Sequence, residues 1–151
     1  MQSFKEAYSQ VHTASDIQAY CKRNFTKQAA DHTLNDVLHT CTYAIYSSET
    51  VGLSIVIQKS CPLKPALKAS ELKHLYLLSS EYGTGLGKSL MEDAIEKAKA
   101  SGSTHIWLCV SNLNFRAFRF YQKLGFTKIG KGPILEVGID RLPSSIMIRE
   151  D

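Results

Sequence analysis

The sequence predicts an α/β or α+β chain, with helices laid on the faces of a sheet, in a single domain over residues 1–151. Three observations lead there. In the second half, β-prone runs alternate with helical patterns. In the first half, two β-rich runs flank a short polar segment, which signals a hairpin. The 151 residues, 44% hydrophobic and 21% charged, suit one soluble domain and leave no room for a second.

The elements follow in order. Residues 14–27 read as a helix, because Ala14, Ile17, Tyr20, Cys21 and Phe25 recur near helical spacing and Ser15 or Asp16 suits its cap. A second short helix is read over 28–39, with Ala29, Leu34, Val37 and Leu38 apolar. Residues 42–46 and 51–58 are strands around Ser47-Ser48-Glu49-Thr50. Residues 59–70 hold Pro62, Pro65 and several lysines and read as a polar loop, and 72–78 is the next strand. A glycine-rich turn at 81–87 opens a helix at about 88–100, whose Leu90, Met91, Ala94, Ile95 and Ala98 share one face. Gly102 suits the position just past its end. A strand over 104–110 and a helix over 114–124 follow, the helix presenting Ala117, Phe120, Tyr121 and Leu124 and stopping at Gly125. The last strands are 126–130 and 145–149.

Composition narrows the function classes. The formal net charge of +4 is mild, and acidic residues are interspersed with basic ones, so no nucleic-acid partner is expected. The N-terminus has no apolar stretch of the signal-peptide kind, and no run approaches the ~20 apolar residues of a membrane span, so a cytoplasmic protein without membrane contact is expected. Cys21, Cys41, Cys61 and Cys109 form no CxxC pair, and His39 with Cys41 lacks a second ligand pair. No metal site is expected; the cysteines read as reduced, mostly buried thiols.

The segment EYGTGLGKSL is the most informative. It follows a strand and opens a helix, where unpaired backbone N–H groups and the macrodipole favour an anion. Gly83, Gly85 and Gly87 let those N–H groups approach a phosphate. A P-loop is excluded because Tyr82 stands where its first glycine must be, and a dinucleotide fingerprint is excluded because Lys88 stands where its third must be. A glycine turn without a ligand stays open at this point.

The Gly85-x-Gly87 spacing resembles the acetyl-CoA pyrophosphate loop of the GNAT family (GCN5-related N-acetyltransferases), with Tyr82 at a position where that family usually has Gln or Arg. Some thirty residues on, VSNLNFRAFRFYQKLGF is similar to the family's second signature through Val110, Asn114, Ala117, Phe120, Tyr121, Leu124, Gly125 and Phe126. Phe118 and Phe120 read as packing residues. The resemblance extends over nearly the whole chain and is closest to the PaiA-like spermidine or diamine acetyltransferases, with His74 where that group often carries Arg. It implies a mixed central sheet flanked by helices, with acetyl-CoA as cosubstrate. It also implies acetyl transfer to a primary amine, such as a polyamine or another small amine, by direct attack in a ternary complex. Peptide N-terminal acetylation on the same fold and a non-catalytic acetyl-CoA-binding module are the alternatives. A homodimer is compatible with the resemblance.

Holding an alkyl amine neutral at pH ~7.4 costs about 4 kcal/mol, so a base, a water chain or desolvation is required. By the resemblance Glu71 is the base candidate, and it reads equally well as an edge-strand surface glutamate. His74 is a second candidate, alongside a packed structural role. Tyr121 matches the family tyrosine facing the CoA sulfur, the implied general acid. Asn114 and Ala117 match the pantetheine region, and Asn114 also suits a helix cap. The strand residues Leu75, Tyr76 and Leu77 would offer backbone to the pantetheine, with an N–H near Leu77 polarising the thioester where the family strand is bulged. Tyr82, Gly83, Thr84, Gly85, Leu86, Gly87 and Lys88 would cradle the pyrophosphate. Arg116 and Arg119 read as phosphate contacts or as an exposed helix face. A polycationic acceptor needs local negative charge, for which Asp31, Asp36, Glu71, Glu136 and Asp140 are candidates.

Overall fold

The structure, a computed structural model, describes residues 37–137 and 140–150. The helices read over 14–27 and most of 28–39 lie outside the described residues, as do Asp31 and Asp36. Val37 and Leu38 form a turn, and His39 already begins a strand.

That strand, β1 (His39–Tyr46), pairs antiparallel with β2 (Glu49–Gln58) in the expected hairpin. The loop is only two residues, because Tyr46 is opposite Glu49. Ser47 and Ser48 have φ of 48° and 68°, the paired left-handed conformation whose twist matches that of the flanking strands. β3 (Ala69–Leu77) pairs antiparallel with β2. Ile55 is opposite His74 and Val56 opposite Leu72, which leaves Lys73 as the extra residue of a β-bulge.

A short 3₁₀ turn, Ser79–Glu81, leads into helix α1 (Leu86–Ala100), which starts two residues before the expected position. Its expected apolar face is buried in full: Leu90, Met91, Ala94, Ile95 and Ala98. Gly102 ends it in the left-handed conformation, donating its N–H to the Lys99 carbonyl at 2.8 Å. β4 (His105–Ser111), α2 (Phe115–Lys123), β5 (Thr127–Lys131) and β8 (Ser144–Glu150) match the remaining expectations to within a residue or two. Between β5 and β8, β6 (Leu135–Val137) and β7 (Asp140–Leu142) form a separate small ladder.

The main sheet has six strands in the order β1-β2-β3-β4-β8-β5. Only β3 and β4 are parallel, so the sheet is mixed. Their ladder comprises Ala69–His105, Ser70–Ile106 and Glu71–Trp107, and then stops. β3 runs on to Leu77 and β4 to Ser111 with no further pairs between them. The bulge at Lys73 lies two residues past the last pair, and the bend that a bulge imposes accounts for the divergence.

Alternation along the strands divides the core in two. On the α1 face, Val56, Leu72, Ile106, Leu108, Val110 and Met147 pack with the helix and with Phe126. On the other face a smaller cluster holds Cys61, Ala69, Trp107, Ile146 and Ile148. A hydrogen-bonded cluster fastens α1 to the edge strand. Thr42 Oγ1 donates to Asp93 at 2.7 Å, while Lys97 donates to Thr42 and pairs with Asp93 at 2.9 Å. Desolvation works against ionised Asp93, but the hydrogen bonds from Lys97 and Thr42 outweigh it and hold the carboxyl below its ordinary value.

Candidate functional site

The divergence of β3 from β4 opens a gap in the sheet, and of the expected site residues Glu71, Leu75, Tyr76 and Leu77 belong to the strand on one side of it. Glu71 sits at its closed end, in the last ladder pair. Leu75 and Leu77 turn toward the α1 side, where Leu75 packs on the main core and Leu77 approaches Gly87. Tyr76 stacks on His74, with ring centroids 5.1 Å apart.

The glycine turn follows from backbone chemistry. Gly83 (φ 84°) and Gly85 (φ 92°) are both left-handed, and Gly85 is the N-cap of α1 with no side-chain cap bond. Thr84 pins the turn: its hydroxyl donates to the Glu81 carbonyl at 2.8 Å and accepts from Leu86 N–H at 3.3 Å. A side chain at Gly87 would come within 2.9 Å of Leu77 and 3.6 Å of Phe120, so glycine there lets the first turn of α1 lie against β3 and α2. Lys88 pairs with Glu92 at 3.5 Å on the exposed side. The first turn of α1 contains no acidic residue. An anion at this helix start therefore meets donors and the dipole, with no carboxylate from the helix's own first turn.

On the far side of the gap, Asn114 caps α2: its Oδ1 accepts from Ala117 N–H at 3.1 Å, which leaves the amide NH₂ for another partner. Tyr121 is half-buried, edge-on to Phe120 (5.3 Å) and Phe126 (5.8 Å).

Glu71 is not a surface glutamate. It is only 5% exposed, and its carboxylate meets Lys59 Nζ at 2.9 Å and Lys73 Nζ at 3.9 Å. Lys59 is itself held over the Trp107 ring at 5.5 Å, and the Trp107 indole N–H donates to the Lys59 carbonyl at 2.8 Å. Burial, reinforced by the charge of Lys73, lowers His74 to about 4, so its imidazole is neutral at physiological pH. Burial also raises Cys109 to about 11, so it remains a thiol.

Two partners escaped the sequence reading. Lys59 had no signal, because only the β2–β3 register brings the residue after β2 beside Glu71. The guanidinium of Arg116 lies 3.4 Å from the centre of the Tyr82 ring. Of the two readings of Arg116, an exposed helix face or a phosphate contact, the structure places it on an exposed part of α2, lying over that ring. Of the acidic residues expected near an acceptor, Glu71 and Glu136 have described side chains, and Glu71 is already paired.

The model of the acetyltransferase (GNAT) family matches residues 2–126 of the chain. An uncharacterized N-acetyltransferase of Mycobacterium bovis is 39% identical over 80 residues, covering 53% of this chain and 51% of the relative. The chain thus spans about half the length of the relatives it matches by sequence. The PaiA N-acetyltransferase of Thermoplasma acidophilum, solved in complex with coenzyme A, superposes with a TM-score of 0.79 at 19% identity, covering 99% of this chain and 87% of that one. A GNAT family acetyltransferase of Elizabethkingia anophelis, solved with acetyl-CoA bound, gives 0.65 at 21% identity and 85% coverage of both.

Proposed function

The chain belongs to the GNAT family of acetyltransferases, and from that premise we propose that it moves an acetyl group from acetyl-CoA to a primary amine. The observation that carries this reading is the gap between β3 and β4 with the glycine turn of α1 at its open end. A pantetheine arm laid in that gap has strand backbone along it, and its diphosphate reaches the α1 N-terminus. The thioester then lies near Tyr121, which protonates the departing thiolate, while the amine attacks from the β3 side. Glu71 takes the amine proton, directly or through water. Transfer is direct: Cys109, kept as a thiol, is a poor acyl carrier.

The acceptor is a small amine, and the resemblance to PaiA-like enzymes makes a polyamine the first class to test. A second reading has its own observation. Lys59 and Lys73 flank Glu71, so this carboxylate offers no net negative charge to a polycation. That favours an amine beside a carbonyl or carboxylate, as at a peptide N-terminus.

A thiol-release assay with acetyl-CoA against spermidine, spermine, an aminoglycoside and short peptides separates the readings. Saturable turnover on spermidine is expected. Turnover on peptides alone would move the protein to the second reading. CoA binding with no release for any amine would make it a non-catalytic binding module.

A further inference from the structure

Arg116 occupies an unfavourable place for a cation. It is the second residue of α2, where the helix already carries partial positive charge, and neither the first turn of α2 nor that of α1 contains an acidic residue. Among the described residues it has no ion-pair partner. What holds it is the Tyr82 ring, with the guanidinium carbon 3.4 Å from the ring centre. Tyr82 is the residue that closes the 3₁₀ turn and enters the glycine turn of α1. The stack therefore joins the β3–α1 connection to the helix that follows β4, across the end of the gap where the two strands are furthest from their ladder. A local choice that opposes the helix dipole, and that is held by a specific partner, points to a functional constraint.

We propose that Arg116, seated on Tyr82, is an affinity-determining cation for the phosphate end of coenzyme A, and that Tyr82 is a positioning residue acting through it. The proposal rests on the reading that the gap receives acetyl-CoA. A guanidinium held flat by a ring keeps its planar fork of N–H donors in one orientation, and that geometry suits two phosphate oxygens better than a flexible ammonium does. The ring face alone supplies the support, so the phenol hydroxyl is dispensable.

The test is calorimetric binding of CoA, without acceptor, to the full chain. Arg116→Ala is expected to weaken binding about tenfold, the loss of one charge-assisted contact. Tyr82→Ala is expected to weaken it by a similar factor, and the double variant no further, because both remove one device. Tyr82→Phe retains binding within about twofold, and Arg116→Lys, which keeps the charge but not the fork, falls between. Unchanged binding by Arg116→Ala overturns the proposal. So do multiplicative losses in the double variant, or a Tyr82→Phe loss equal to that of Tyr82→Ala. Wild-type protein that binds no CoA would remove the cofactor reading as well, so the two failures are distinguishable.

Discussion

Tyr121 and His74 carry the sharpest predictions at the residue scale. Tyr121→Phe keeps both edge-on ring contacts, to Phe120 and Phe126, and removes only the hydroxyl. Turnover is expected to fall about a hundredfold or more with KM for acetyl-CoA little changed; full turnover would dismiss Tyr121 as the acid. His74 is lowered from 6.5 to about 4 in the folded state. Between those values the unfolded chain binds the proton and the folded chain does not, so stability drops as pH falls through that window. From pH 7 to pH 5 the loss through this group is ~2 kcal/mol, and His74→Gln flattens that slope in urea midpoints taken at the two pH values. The same shift makes His74 a weak base for an amine. Glu71 shows where sequence stops: its place at the start of a strand was readable, and so was Lys73 two residues along it, but its burial and its Lys59 partner were not, since those depend on how β3 pairs with its neighbours.

The helices are the most legible elements, because amphipathic spacing and caps are local. The buried face of α1 and the Asn114 cap of α2 were both in the sequence. Met91, with no exposed surface, sits mid-face, and Met91→Ala is expected to destabilise by about 2–5 kcal/mol. Asn114→Ala loses the bond to Ala117 N–H and about 1 kcal/mol, whereas Asn114→Asp keeps the cap; urea midpoints check both. β6 and β7 were missed because three-residue strands carry no readable period. β3 begins three residues earlier than expected, since Ala69, Ser70 and Glu71 are all buried and show no polar–apolar alternation.

At the scale of the whole molecule, family membership and sheet topology agree with what two short signatures implied. The signatures lie apart in sequence, yet Arg116 and Tyr82, one from each, are in contact. Direct transfer within this frame predicts intersecting initial-velocity lines when acetyl-CoA and amine are varied together. Parallel lines would require an acyl-enzyme, and Cys109→Ala is expected to retain turnover.

The short β3–β4 ladder also has a mechanical meaning. Three consecutive pairs join two plates, β1-β2-β3 and β4-β8-β5, and act as a hinge pin near Glu71. Across the rest of the seam the plates are held by α1, whose core reaches Val56 and Leu72 on one plate and Ile106, Leu108 and Met147 on the other. A molecule wedged in the seam would work as a brace, resisting both closing and twisting. Amide exchange in β3 and the start of α2 should then slow together when CoA is added.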